Sequence, residues 1–276
     1  MNYLILDEFI KRALVEDIDY GDITTDSLFG GNEISEARII SKDNGIISGI
    51  HAAERVFHIV DGNIEFQIEK EDGDSAGYGD ILANIGGSSK SILKGERTAL
   101  NIMQRMSGIA TATRNMVNLV KDFDTRIVDT RKTLPGFRML DKYSVTVGGG
   151  YNHRMSLSDY VMIKDNHIKA VGSIKKAVET VKEKLPFTHK IEVEVENLDQ
   201  LKEALSTAAD VIMLDNMDIE TMKKAVELID GRFVVEASGN VSEKNVADIA
   251  AAGVDIISIG SLTHSVKAFD ISLKFR

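Results

Sequence analysis

KIEVEVE (190–196), DVIMLDN (210–216), RFVVEAS (232–238) and DIISIGS (255–261) are short runs rich in β-branched residues, each ending on a polar residue where a helical pattern takes over. Their spacing decides the fold. Glu236 follows Asp215 by 21 residues and Ser258 follows Glu236 by 22, the length of one strand plus one helix of a βα repeat. Two earlier runs of the same kind, RIVDT (126–130) and DYVMIKD (159–165), bring the set to six parallel strands. Between the later strands, Ser173–Leu185, Leu198–Thr207, Ile219–Ile229 and Ser242–Ala252 space apolar residues at i, i+3, i+4, the period of a half-buried helix. Gly172, Gly231 and Gly253 stand at helix boundaries, and Ser242 with Asn245 forms an imperfect cap. Such units build either an open wound sheet or a closed barrel. No glycine-rich dinucleotide fingerprint follows these strands, and polar residues gather at their C-terminal ends, so a barrel with its site at that mouth is expected.

The first 110 residues follow a different pattern, α+β. An amphipathic helix (Leu4–Glu16) and a loop GDITTD (21–26) precede strands expected in ARIISKDNGIISG (37–49), NIEFQIE (63–69) and SSKSIL (88–93). A long helical stretch, Gly95 to Val120, leads into the first barrel strand with an interruption expected near Gly108, where the domain boundary is placed. A chain of 276 residues, 43% of them hydrophobic, is long enough for one large core or two smaller ones. With no Cys there is no disulfide framework or thiolate metal site, and with no charged-then-apolar leader a cytoplasmic protein is expected. No apolar run approaches the roughly 18 residues of a membrane span, and the net charge of −10 repels nucleic-acid phosphates, so neither membrane nor nucleic acid is the expected partner.

Against that acidic background, residues 126–169 hold eight Lys or Arg and four Asp, a local +4, leaving −14 for the remainder. The cations lie in TRKTLPGFR (130–138), NHR (152–154) and IKDNH (163–167), tied to apolar runs and glycines, as expected of a site for a compact polyanion. Arg131 and Lys132 leave the first barrel strand and are held at its mouth by the Pro135-Gly136 turn; a rim ion pair of Arg131 with Asp129 is the plain structural alternative. In GGGYNHR (148–154), glycines allow close backbone approach to a ligand while Arg154 offers a bidentate fork to a carboxylate; a hinge, and a merely structural His153, are the alternatives. Lys164 ends an apolar run and needs a strand-end carboxylate such as Glu194, a phosphate, or a depressed-pKa role as a Schiff-base amine. Glu194 and Asp215 end neighbouring strands, a pair suited to Mg²⁺ beside phosphates, although periodicity does not choose among Glu192, Glu194 and Glu196. The turns ASGN (237–240) and IGS (259–261) fall where barrel enzymes bind phosphate.

RKTLPGFR, KYSVTVGGGYNHR, IKDNH, EVEVENLDQL, IMLDN, EASGN and SIGSLTHS, with GERTALNIMQRMSGIAT (95–111) and EDIDYGDITT (16–25), resemble the quinolinate phosphoribosyltransferase family over nearly the whole chain. That resemblance implies an N-terminal α+β sandwich-like domain at 1–109, rejoined by a C-terminal segment 266–276, and an incomplete, seven-stranded α/β barrel at 110–265. It implies a homodimer in which Arg97 enters the neighbouring site. By the same similarity Arg131, His153 and Arg154 hold the pyridine dicarboxylate, Thr130 is a substrate-binding residue, and Lys132 and Lys164 stand between the dicarboxylate and the phosphates. Glu194 and Asp215 address ribose hydroxyls and Mg²⁺, while Ser238, Gly239, Asn240, Gly260 and Ser261 form the 5′-phosphate loops. Arg105 departs from the more usual HLSGIAT and is expected to bear on interface packing.

The implied reaction joins the quinolinate nitrogen to C1 of phosphoribosyl pyrophosphate, releases pyrophosphate and then CO₂, and leaves nicotinate mononucleotide, a step of de novo NAD biosynthesis. Lysines and Mg²⁺ offset the charge growing on pyrophosphate, and the acids stabilise an oxocarbenium-like ribose. Little acid–base chemistry is needed, which accounts for the lack of a triad. The competing readings are a phosphoribosyltransferase using nicotinate, the molybdenum-associated paralogues, an aldolase-like barrel with Lys164 as Schiff base, and a phosphometabolite-binding sensor that is not an enzyme.

Overall fold

A computed structural model describes all residues 1–276. The chain begins with α1 (Tyr3–Ile18), α2 (Ile23–Leu28), β1 (Ile34–Ser41), β2 (Gly45–Ile46), α3 (Ile50–Val60), β3 (Glu65–Ile68), β4 (Ser75–Ala76), β5 (Ile81–Ser88) and the long α4 (Ser89–Leu119). There follow β6 (Arg126–Val128), α5 (Arg138–Val147), β7 (Val161–Ile163), α6 (Asp165–Val171), α7 (Ile174–Lys182), β8 (Ile191–Val195), α8 (Leu198–Ala204), β9 (Val211–Asp215) and α9 (Ile219–Ile229). β10 (Val234–Ser238), α10 (Val246–Ala251), β11 (Ile256–Ser258), α11 (Ser261–His264) and β12 (Ile271–Phe275) complete it. These form two compact units: residues 1–114, 133–149 and 262–276 in one, and 115–132 with 150–261 in the other.

The first unit carries an antiparallel sheet in the order β12-β1-β5-β3, so the last strand of the chain pairs with the first, Arg38 opposite Lys274. Alternation along β1 sends Ala37, Ile39 and Ser41 inward; Ile39 joins Leu6, Ile10, Phe57, Leu82 and Met103 in the core. The strand expected at 88–93 is instead a corner. β5 lies upstream at 81–88, and Ser89 donates from N–H and Oγ to the Glu33 carbonyl (2.9 and 3.0 Å), turning the chain into α4. Nor is there a break at Gly108: α4 runs through it for 31 residues, and the missing side chain serves contact, since a Cβ there would lie 2.2 Å from the Lys267 carbonyl oxygen. Gly148 is similar, because a Cβ would meet the Ala110 carbonyl oxygen at 2.5 Å; this glycine of the triplet packs on α4 rather than giving clearance to a ligand.

Arg105 is engaged inside its own chain. Its guanidinium grips both oxygens of the fully buried Asp141 (2.8 and 2.9 Å), donates to the Thr263 carbonyl (2.8 Å) and lies over the Phe137 ring. Asp141 also accepts from Leu134 N–H (3.2 Å), so one carboxylate ties α4, α5 and the Pro135 turn.

In the second unit the strands run parallel in the order β6-β11-β10-β9-β8-β7, the cyclic succession of a βα barrel. The seventh strand of the expected barrel is reduced to one residue: Tyr151 bridges Val128 of β6, donating to the Ile127 carbonyl (2.9 Å). Helix ends follow the capping residues. Ser173, Asn197 and Asp218 accept from the first turns of α7, α8 and α9, and α9 covers the 219–229 read from periodicity, while α10 starts later than expected, at Val246 after an Asn245 cap position.

Removing one partner of a buried bidentate pair costs about 3–5 kcal/mol. Asp141→Ala is expected to lower the unfolding free energy by that amount in urea titration, and a loss under about 1 kcal/mol would show that the tie is not needed.

Candidate active site

β-Alternation places residues i and i+2 on the inner face, and this builds the site from pairs: Glu192 and Glu194 on β8, Met213 and Asp215 on β9, Glu236 and Ser238 on β10. Register aligns Glu194, Met213 and Glu236 across three neighbouring strands. At the C-terminal mouth they surround a cavity of about 400 Å³ lined also by Thr130, Arg131, Lys132, His153, Arg154, Met162, Lys164, Asn216, Gly239, Asn240 and Ser258. That volume suits a small ligand.

Most of the expected residues therefore meet in one place. Gly260 and Ser261 follow β11 outside this lining, and Arg97 is exposed on α4 in the other unit. Half of the eight cations of 126–169 face the cavity: Arg131, Lys132, Arg154 and Lys164. Of the others, Arg126 stacks on Tyr151 (5.1 Å), Lys169 pairs with Asp165, and Arg138 and Lys142 belong to α5 of the first unit.

The chain out of β6 is fixed locally. Thr130 Oγ1 accepts from Lys132 N–H (3.0 Å), and buried Asp129 accepts from His153 N–H (2.9 Å), so Asp129 serves this turn. Arg154 is 9% exposed, with its guanidinium on the Tyr160 carbonyl (3.3 Å) and Met162 Sδ (3.5 Å) and over the Tyr160 ring. Lys164 forms a salt bridge with Glu194, the carboxylate-partnered choice among its three readings. Of the three candidate glutamates, Glu194 reaches the cavity, Glu192 is buried beneath, and Glu196 lies exposed beyond the strand with its N–H on Gln200. Asp215 accepts from Asn216 Nδ2 (2.8 Å).

Under this mouth lies a cluster absent from the sequence-based site. His153 Nε2 is 3.3 Å from Glu236 and 3.6 Å from Glu192, both glutamates are almost wholly buried, and the Tyr160 hydroxyl stands 2.8 Å from Nδ1. Burial works against a charge on the ring, but the hydrogen bonds and charges of the two glutamates outweigh it and raise His153 to about 9. Burial also pushes Glu192 and Tyr160 up. The available signal was alternation: Glu192 shares its face with Glu194, and Glu236 with Ser238. Asn216 was also missed. It adopts φ +53° and lies against Gly239, whose φ is +95°, and Asn240 Nδ2 reaches it at 3.3 Å.

Glu194, ion-paired with Lys164, and Asp215 offer hard carboxylate oxygens from adjacent strands to one cavity, a donor set that would suit Mg²⁺.

Four cations, two strand-end carboxylates and a left-handed glycine turn at the C-terminal mouth of an α/β barrel define an enzyme that handles a compact anionic substrate. Residues 22–107 match the profile of the quinolinate phosphoribosyl transferase N-terminal domain and 109–274 that of its C-terminal domain, and the chain belongs to this family. It is 44% identical to the probable carboxylating nicotinate-nucleotide pyrophosphorylase of Synechocystis, covering 99% of this chain and 93% of that protein. To the probable enzyme of the same name from Bacillus subtilis it is 43% identical, covering 99% and 94%. The crystal structure of NadC from Streptococcus pyogenes superposes with a TM-score of 0.95 at 40% identity, over 100% of this chain and 99% of that one.

A Cβ on Gly239 would come within 2.1 Å of Asn216 Oδ1 in a conformation that side chains disfavour. Gly239→Ala is expected to cost on the order of 1–3 kcal/mol in chemical denaturation. Adding Asn216→Ala should recover part of it; no recovery would place the strain elsewhere.

Proposed function

We propose that this chain is a carboxylating nicotinate-nucleotide pyrophosphorylase, transferring the phosphoribosyl group of phosphoribosyl pyrophosphate to quinolinate and releasing pyrophosphate and CO₂ to leave nicotinate mononucleotide. The observation that carries this is the convergence of Arg131, His153 and Arg154 with Lys132, Lys164, Glu194 and Asp215 in one cavity. A pyridine dicarboxylate needs more cationic contacts than a monocarboxylate, and the three groups on the 131 and 153–154 side supply them. Nicotinate alone would leave part of that charge unmatched. The Lys164–Glu194 ion pair supports a charge-balancing lysine over a Schiff-base amine.

In this reading Thr130, Arg131, His153 and Arg154 hold the ring carboxylates and aim the nitrogen at C1, turning a bimolecular encounter into an oriented one. Lys132 and Lys164 lie between ring and phosphates and offset negative charge on the leaving pyrophosphate. Glu194 and Asp215 face the ribose, where a carboxylate stabilises positive charge as the C1–O bond breaks. Ser238, Gly239 and Asn240, with Gly260 and Ser261 beyond the cavity, are the residues proposed for the 5′-phosphate. Glu194 and Asp215 would hold Mg²⁺, which would supply further positive charge for the departing pyrophosphate. The reading extends to a homodimer whose exposed Arg97 enters the neighbouring site, and to a cytoplasmic setting, with which the absence of Cys agrees. No helix is long and apolar enough to cross a membrane.

Incubation with quinolinate, phosphoribosyl pyrophosphate and Mg²⁺ is expected to give nicotinate mononucleotide by mass, with one CO₂ per product. Turnover of nicotinate without CO₂, and none of quinolinate, would overturn the assignment. Because Arg154 is buried, Arg154→Ala is expected to cost about 2–5 kcal/mol, roughly 30- to 5000-fold in kcat/KM for quinolinate. Near-normal turnover would remove Arg154 from the site.

A further inference from the structure

We propose that Glu236 and Glu192 are positioning residues that hold His153 as an imidazolium, so that a fixed positive charge faces the carboxylates of the pyridine substrate. This inference rests on the function proposed above and deepens it, because it says how the cavity keeps a histidine cationic at neutral pH.

The starting observation is a charge imbalance. Glu236 and Glu192 are 2% and 1% exposed on the inner faces of β10 and β8, and in each the Oε1 atom is buried with no hydrogen-bond partner. Two ionised carboxylates held out of water without a cation are strongly unfavourable. The Arg154 guanidinium is engaged with the Tyr160 carbonyl and Met162 Sδ. What stands between the two acids is His153 Nε2, 3.3 Å from one and 3.6 Å from the other. A ring N–H between them supplies one positive charge that the two acids share, and burial pushes Glu192 toward its neutral form, which lessens the charge left over.

Every element around the ring bears on its protonation. The segment after β6 contributes Asp129, which accepts the His153 backbone N–H, and Arg154. Tyr160 precedes β7, β8 contributes Glu192 and β10 contributes Glu236. The same cavity also holds Lys164 at the end of β7, ion-paired with Glu194 of β8, Asp215 of β9, and Arg131 and Lys132 after β6, while Met162, Met213 and Ser258 are uncharged. At Nδ1 the Arg154 backbone N–H approaches at 2.9 Å and favours an unprotonated nitrogen, whereas the Tyr160 oxygen, 2.8 Å from Nδ1 and 3.0 Å from Nε2, can accept a proton from either. A hydrogen bond to a charged group is stronger than one between neutral groups. With two carboxylates at the opposite nitrogen the charged ring wins, in agreement with the rise of His153 to about 9.

His153 carries its charge below its own pKa and loses it as pH rises through that value, so the native ring stays charged across neutrality and a ring without its acids reverts toward the ordinary 6.5. Glu192 lies outside the cavity lining and Glu236 on it, and in this scheme both act through His153 rather than by binding substrate. They set the charge and aim of the residue that does.

Two measurements test this. In the ligand-free wild-type protein, NMR titration of the ¹⁵N-labelled histidines, with His153 assigned through His153→Gln, should show a ring still protonated at pH 8. Titration near 6.5 or below overturns the proposal whatever the enzyme turns over, whereas a protonated His153 in a protein that makes no nicotinate mononucleotide sinks the functional reading and leaves the charge assignment standing. In steady-state assays Glu236→Gln and Glu192→Gln preserve shape and remove charge. For each, kcat/KM for quinolinate should fall by about tenfold per pH unit above the lowered His153 pKa while the wild type stays level from pH 6 to 8. KM for phosphoribosyl pyrophosphate should not move. A uniform loss at all pH values, or equal changes in both KM values, would reduce the glutamates to packing and refute their role.

Discussion

Charges taken out of water must be answered by charges, and the second unit of this protein is organised by that requirement. Its inner strand faces carry Glu192, Glu194 and Glu236 where a plain barrel would carry Val, Ile or Leu. Each is met from a neighbouring element: Glu194 by Lys164 at the end of β7, the other two by His153 from the segment after β6. Acids on the central strands thereby hold Lys164 and His153 at the cavity that Arg131, Lys132 and Arg154 also line. The site is a consequence of satisfying the barrel interior.

The scaffold explains why the segment after β6 is so closely held. Tyr151 bridges β6 by one residue, Asp129 takes the next turn through the His153 N–H, and Arg154 falls between Tyr160 and Met162. Shortening the seventh strand to a single bridge leaves the backbone free to turn into the cavity two residues later. On the other side of the mouth, the left-handed Asn216, Gly239 and Asn240 bring the ends of β9 and β10 together without side-chain obstruction. Polar side chains and strained backbone thus converge from different strands on one volume.

Much of this was legible in the sequence because it depends on local periodicity. A βα repeat of 21 and 22 residues, apolar helical spacing and polar strand ends located β8 to β11 and the acids they present. Three things were not legible. The role of a glycine depends on its neighbour in space: Gly108 and Gly148 look like a break and a ligand clearance, and both are contacts made by α4. The partner of Arg105 lies 36 residues away in a helix that no strong pattern announced. The third is the His153 cluster, whose members come from three separate segments; alternation says that Glu192 and Glu236 point inward but not that they meet the same ring.

The central claim is that side chains scattered between residues 130 and 240 form one cup for a pyridine dicarboxylate. A crystal structure of the protein with pyridine-2,3-dicarboxylate tests it most directly. The account predicts the ring inside the barrel mouth, its carboxylates within hydrogen-bond distance, about 2.7–2.9 Å, of Arg131 and Arg154. A dicarboxylate bound elsewhere, or an empty cavity at saturating ligand, would contradict it.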